Sequence, residues 1–163
     1  MPYLLNVTNS LLKNYHKANY FIGECKMRLL MMYADRFYYK TAVKNLETVL
    51  EQDEEKEVKE ALIAFVHMEG TDEENSSSIE TKVVKNLKWA ARKNDTQAII
   101  LHSFAHLAET KASPEATKQL LDDTEKRLKN AGYTTYQTPF GYFLDLDIQA
   151  PGHSFARLFK KIV

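Results

Sequence analysis

The chain has 163 residues and a mass of 18.8 kDa, the size of one ordinary domain. Lys plus Arg and Asp plus Glu each number 22, which argues against a general DNA coater and its strongly basic footprint, yet leaves room for a protein that grips only the end of a nucleic acid. Hydrophobic residues make up 44% and charged residues 27%, a globular mix, and the single Cys25 excludes an internal disulfide framework or a four-cysteine zinc site and suits a reducing compartment.

Residues 1–26 are aromatic and amide-rich and read as an N-terminal extension, with a natural start at Met27 as the alternative. Asn6, Asn9, Lys13 and Asn14 interrupt the apolar residues there, so no secretory signal is legible. No apolar run approaches the roughly 18 residues of a membrane span, and a cytoplasmic location is expected. Cys25 lies in this extension and is not read as a catalytic thiol.

The large apolar and aromatic residues after Met27 predict two strands around Ala34-Asp35. Residues 44–60 fit either a helix or a solvated connection. The apolar run 61–69 is of strand length, and 71–78 is an acidic, Ser-rich loop in which Ser77 or Ser78 could cap the next helix. Ile79, Val83, Leu87, Ala90 and Ala91 recur at helical spacing as far as about Lys93. Residues 96–104 predict a strand whose consecutive Ile99, Ile100 and Leu101 are buried on both faces, as in the middle of a sheet.

Ser113-Pro114 is a helix start, with a capping hydroxyl before a proline at the first helical position, and Gly132 ends that helix. A short strand over 133–136 and an alternating one over 142–149 follow, and 153–163 closes as a short helix. Strand, helix, strand, helix, strand implies crossover connections. The pattern therefore predicts an α/β domain with a mixed β-sheet and packed helices.

Three places invite chemistry. His106 follows a central strand, where α/β sheets place their sites, and could bind a ligand or move a proton; a structural histidine bonded to a backbone carbonyl is the plainer reading. His102 and His106 are four apart, but His102 sits in a strand and a third imidazole would have to come from His67 or His153, so no metal is assigned. Residues 138–142 put a rigid Pro139, a permissive Gly141 and two aromatics between strands: either a tight turn packed on the core or a wall for a flat base. No phosphate loop, nucleophile elbow or zinc-protease motif occurs.

Segments 27–39, 61–75, 103–133, 138–143 and 152–158, with Phe-Ala-His at 104–106, Pro114, Pro-Phe-Gly-Tyr at 139–142 and Gly-His at 152–153, resemble the archaeal-type editing domain of threonyl-tRNA synthetase. The resemblance spans about residues 27–162 and implies a D-aminoacyl-tRNA deacylase-like single domain over 27–163. It implies hydrolysis of serine misattached to the tRNA for threonine, because one methyl supports only about 10- to 200-fold discrimination in binding and a second sieve is needed. By resemblance, water attacks the ester with help from the terminal ribose hydroxyl, and no catalytic triad or cofactor is expected.

His106 matches the family's pocket histidine, Phe104 and Ala105 the adjacent wall, and Pro139, Phe140 and Gly141 the turn that bounds the terminal adenosine. Met68 stands where the family has a smaller apolar residue. A second Tyr and a catalysis-supporting Lys are replaced by Phe143 and Leu144, and an acidic residue four positions after the closing His is Arg157. The resemblance implies the 3′ end of an aminoacylated tRNA as partner, a homodimer, and an association with a threonyl-tRNA synthetase catalytic subunit. The first reading is a free-standing editing domain acting in trans; a module that binds aminoacyl-tRNA or nucleotide without turning it over is the alternative that Leu144 and Arg157 favour, and a piece of a longer synthetase is the third.

Overall fold

The computed structural model describes residues 26–163, so Cys25 and all but the last residue of the 1–26 extension lie outside the described residues. β1 (Met27–Lys44) and β2 (Glu55–His67) form a long antiparallel hairpin. A 3-10 helix (Gly70–Asn75) leads into α1 (Ser76–Lys93), then β3 (Ala98–Ser103), α2 (Pro114–Asn130), β4 (Thr134–Gln137) and β5 (Tyr142–Gln149). A short 3-10 turn (Ser154–Ala156) precedes β6 (Arg157–Ile162). Strand order is β4-β3-β2-β1-β5, with β6 also on β1. Among the described residues no helix is long and apolar enough to cross a membrane.

The crossovers inferred from the pattern are present: β2–β3 and β3–β4 are parallel, joined through α1 and α2, while β1 is antiparallel to β2, β5 and β6. Both helices pack on one sheet face. There Ile79, Val83, Leu87, Leu120, Leu121 and Leu128 meet Met27, Leu29, Leu62, Ala64, Ile99 and Leu101. Ile63, Phe65 and Ile100 point the other way into a second core with Phe37 and Tyr39, so the central strands are indeed buried on both faces. α2 begins as read, with Ser113 Oγ accepting from Ala116 N at 3.2 Å, and Gly132 past its end has φ +91°.

Several elements differ from the pattern. Residues 27–44 form one strand, not two, and something does happen at Ala34-Asp35: Leu30, Met32 and Ala34 face the second core, then Phe37 and Tyr39 do. The alternation inverts there, opposite Glu60, whose φ is +52°. The inversion turns the outer hairpin half, with β5 beside it, over the helix-free face. Residues 45–54 are a connection rather than a helix, and the charged Glu55–Glu60 stretch is the start of β2. Cross-strand partners overrode helix propensity: Arg36 Nε donates to Glu57 at 2.7 Å and Tyr38 Oη to Glu55 at 2.7 Å.

Neither Ser77 nor Ser78 caps α1. The 3-10 helix replaces the expected loop and the capping position falls to Asn75. The closing helix is also absent. β6 takes the edge of β1 from Met27 to Met32, beyond the stretch Arg36–Lys44 that β5 occupies. Leu158 and Ile162 alternate into the helix-side core, while Lys160 and Lys161 charge the exposed edge.

Candidate functional site

A cavity of about 250 Å³ opens where β2 and β3 end, under the turn between β4 and β5. The wall after β3 is Phe104-Ala105-His106, placed by Phe104 N donating to Val66 O at 2.9 Å. Met68, 2% exposed, lines the floor. Opposite stand Pro139, Phe140 and Gly141, then Phe143 and Leu144 of β5. The sequence motifs thus converge on one cavity from segments 70 residues apart.

Aromatic edges order that wall. Phe104 packs edge-on against Phe65 at 5.3 Å and against the His106 ring at 5.0 Å. Phe143, half-exposed, stacks on His106 from across the opening at 6.1 Å and 28°. His106 itself is exposed and flanked by these rings, and among the described residues no backbone carbonyl bonds it. Gly141 has φ +81°, its carbonyl oxygen accepts from Asn45 N (2.7 Å) and Leu46 N (3.1 Å), and a Cβ there would lie 3.0 Å from both Val49 methyls. Only glycine lets the turn sit this close to the β1–β2 connection.

Arg157 is the exception among the expected site residues. It starts β6 opposite Met32 and does not border the cavity. It forms no ion pair among the described residues, and Asp147 Oδ2 accepts instead from Arg36 Nη1 at 2.5 Å. Lys111 is the one formally charged side chain among the described lining residues.

Sequence reasoning passed over the residues that hold the 104–112 loop. His67 is buried; its Nε2 donates to Thr110 O at 2.7 Å, and its Nδ1 accepts from Leu107 N at 3.2 Å. Two backbone partners of opposite kind fix one neutral tautomer. Glu69, 1% exposed, accepts from Arg28 and, at 2.6 Å, from Thr110 Oγ1. The signal was available: two ionisable groups, His67 and Glu69, end an otherwise apolar run, and buried charges are paired. His67 is committed to backbone and His102 to Thr138, and among the described residues no group of three His, Cys, Asp or Glu is placed to hold a metal.

His102 Nδ1 lies 2.8 Å from Thr138 Oγ1 and ties β3 to the Pro-Phe-Gly turn. Burial, then the nearby His106, push its pKa down from 6.5 to about 4. The uncharged ring belongs to the folded state. Its stabilisation is whole above pH 6.5 and is lost as pH falls towards 4, where the unfolded chain takes up a proton that the folded one refuses. The expected size is about 3 kcal/mol across that window. Urea unfolding at pH 7.5 and 4.5 checks it: the pH dependence of wild type minus His102→Gln should carry this difference, and parallel curves would remove the role of His102.

A mixed, curled sheet with two helices on one face and a site at the ends of the parallel strands is the D-aminoacyl-tRNA deacylase-like fold. The solved structure of the c-Myc DNA unwinding element binding protein shares it at a TM-score of 0.58 and 11% identity, over 82% of this chain and 97% of that one. The chain belongs to the archaea-specific editing domain of threonyl-tRNA synthetase, whose family description matches residues 27–162. Threonine–tRNA ligases of Thermococcus sibiricus (32% identical over 140 residues), Pyrococcus horikoshii (30%) and Methanopyrus kandleri (30%) are similar over 83–84% of this chain. The chain spans only 22% of the length of each of these relatives.

Proposed function

We propose that this chain hydrolyses the ester of serine wrongly joined to the tRNA for threonine. The observation that carries the reading is the cavity itself: in a member of this editing family, Phe-Ala-His and Pro-Phe-Gly face each other across one opening. Family membership favours hydrolysis over a module that only holds the aminoacyl end.

In this reading Phe140 and Phe143 stack the terminal adenine. Met68, Phe104 and Ala105 set a pocket volume that admits serine and collides with the extra methyl of threonine. His106 bonds the reacting ester or its water and moves the proton, with the ribose hydroxyl assisting. The carbonyl oxygen gains charge as water attacks, and Leu144 offers it no donor where the family has lysine. Lys111 is the cation left at the cavity edge to meet the terminal phosphate. The working form is a cytoplasmic homodimer that serves, or forms part of, a threonyl-tRNA synthetase.

Hydrolysis of seryl-tRNA and threonyl-tRNA, both made on the tRNA for threonine, tests this. The seryl ester should be cleaved about 100-fold faster or more, since a steric sieve must exceed the discrimination of simple binding. Equal rates would remove the specificity. No hydrolysis by the native chain, with activity gained in Leu144→Lys, would make it a holder of the aminoacyl end.

A further inference from the structure

Away from the cavity, α1 carries a second feature that the site does not use. Lys82, Lys85, Trp89 and Arg92 recur at intervals of three and four, so they share one face of the helix over about 15 Å. This stripe borders a groove of about 480 Å³ whose other side is Lys161 and Ile162 of β6. No carboxylate side chain lines it. Lys85, Arg92 and Lys161 are exposed and form no ion pair among the described residues, whereas Arg28, Arg36, Lys44, Lys118, Arg127 and Lys129 are each held by one.

Aromatics are set among these cations. Trp89 is partly exposed, with Lys160 Nζ 6.0 Å from its ring centre and Phe155 edge-on at 6.2 Å. Lys93 Nζ stands 5.2 Å from the Phe155 ring, itself 39% exposed. Because net charge is zero, such a concentration is matched by an acidic region: residues 45–60 hold Glu47, Glu51, Asp53, Glu54, Glu55, Glu57 and Glu60 against Lys56 and Lys59. Charge is therefore unevenly spread along the chain, and the groove is the stretch suited to a polyanion.

We propose that the α1–β6 groove is a docking surface for RNA, gripping phosphates with Lys85, Arg92 and Lys161 and stacking an unpaired base on Trp89. Unpaired cations alone would suit any acidic partner. Cations interleaved with accessible aromatic rings are the pattern of a nucleic-acid strand, which offers phosphates and flat faces together. The assignment rests on the editing reading only in taking the RNA to be the body of the same tRNA whose end enters the cavity.

Trp89 is the only tryptophan, so emission excited at the red edge of the absorption, where tyrosine does not absorb, reports from this groove alone. An uncharged, that is unacylated, tRNA transcript should quench it and bind with an affinity that falls steeply with salt. The variant Lys85→Gln/Arg92→Gln/Lys161→Gln should lose about 2 to 3 from the slope of log affinity against log salt, and about 100-fold in affinity near 0.1 M salt. Its hydrolysis of a seryl ester on a bare 3′-adenosine should equal wild type, because no residue of the cavity has changed. Unaltered emission, or unchanged salt dependence in the triple variant, overturns the proposal. Transcript binding with no ester hydrolysis by wild type would sink the editing reading and leave this one standing.

Discussion

His106→Ala is expected to slow hydrolysis of the seryl ester by about 100- to 10,000-fold, the range for losing a positioned proton carrier. The urea midpoint should stay within experimental error, because the His106 side chain is exposed and, among the described residues, bonds no buried group. Its neighbours permit a sharper test. The ring is flanked by Phe104 at 5.0 Å and Phe143 at 6.1 Å, so it could act merely as a flat spacer that keeps the opening formed. His106→Phe retains a ring between those two and removes both nitrogens. A proton-transfer or hydrogen-bonding role predicts that Phe is as poor as Ala, with the loss in kcat. A spacer role predicts that Phe restores most of the rate and that Ala mainly raises KM. Recovery in His106→Phe would move the chemistry to the substrate's own ribose hydroxyl and leave the protein a purely steric sieve.

The same cavity explains why a chain can keep a site's shape while changing its donors. Leu144 pairs with Thr41 on the outer hairpin half, and its side chain packs against the second core. An apolar residue there is compatible with the fold, so nothing structural forces a lysine back. Arg157 lies on a different strand and borders no part of the opening, so its charge inversion costs the cavity nothing. Of the two family positions whose charge is lost or inverted, Leu144 borders the cavity and Arg157 does not.

What was legible followed from local signals that act over a few residues. Ser113-Pro114 fixed a helix start through a cap and a preset φ, and Ile99-Ile100-Leu101 required a strand covered on both faces. The cavity walls were legible as motifs because each is a short segment at a strand end. The missed parts depend on partners distant in the chain. Glu55–Glu60 has helical composition but extends because β1 offers a partner edge and Tyr38 and Arg36 offer donors. Arg157–Ile162 extends because β5 leaves the first half of β1 uncovered. An open edge is a property of the assembled sheet, and no window of sequence around Phe159 carries it. His67 and Glu69 were visible as residues but not as a pair of struts, since Thr110 and Leu107, the groups they hold, lie 40 positions on.

Those struts carry the second large expectation. Arg28→Met should cost about 3–5 kcal/mol, more than the loss of the carboxylate in Glu69→Gln. The asymmetry follows from burial. Glu69 is 1% exposed, and without Arg28 its charge is left with uncharged partners among the described residues, chiefly the Thr110 hydroxyl at 2.6 Å, the backbone at the start of the 3-10 helix and a neutral His67 ring 3.6 Å away. The Arg28 side chain is 21% exposed, so when Glu69 goes it can turn its guanidinium towards water. Arg28→Met/Glu69→Leu should recover much of the loss, because an apolar pair of similar volume removes the stranded charge instead of creating one. Urea unfolding of the three variants measures this, and Arg28→Met within 1 kcal/mol of wild type would show that Glu69 finds solvent or another donor. Activity should follow a different order. Both Glu69→Gln and the double variant lose the charged anchor of Thr110, while His67 still holds Leu107 N and Thr110 O. The 104–112 loop is then tied through one strut where it had two. The double variant is therefore expected to regain stability without regaining the full rate, which separates the cost of a buried charge from the placing of His106.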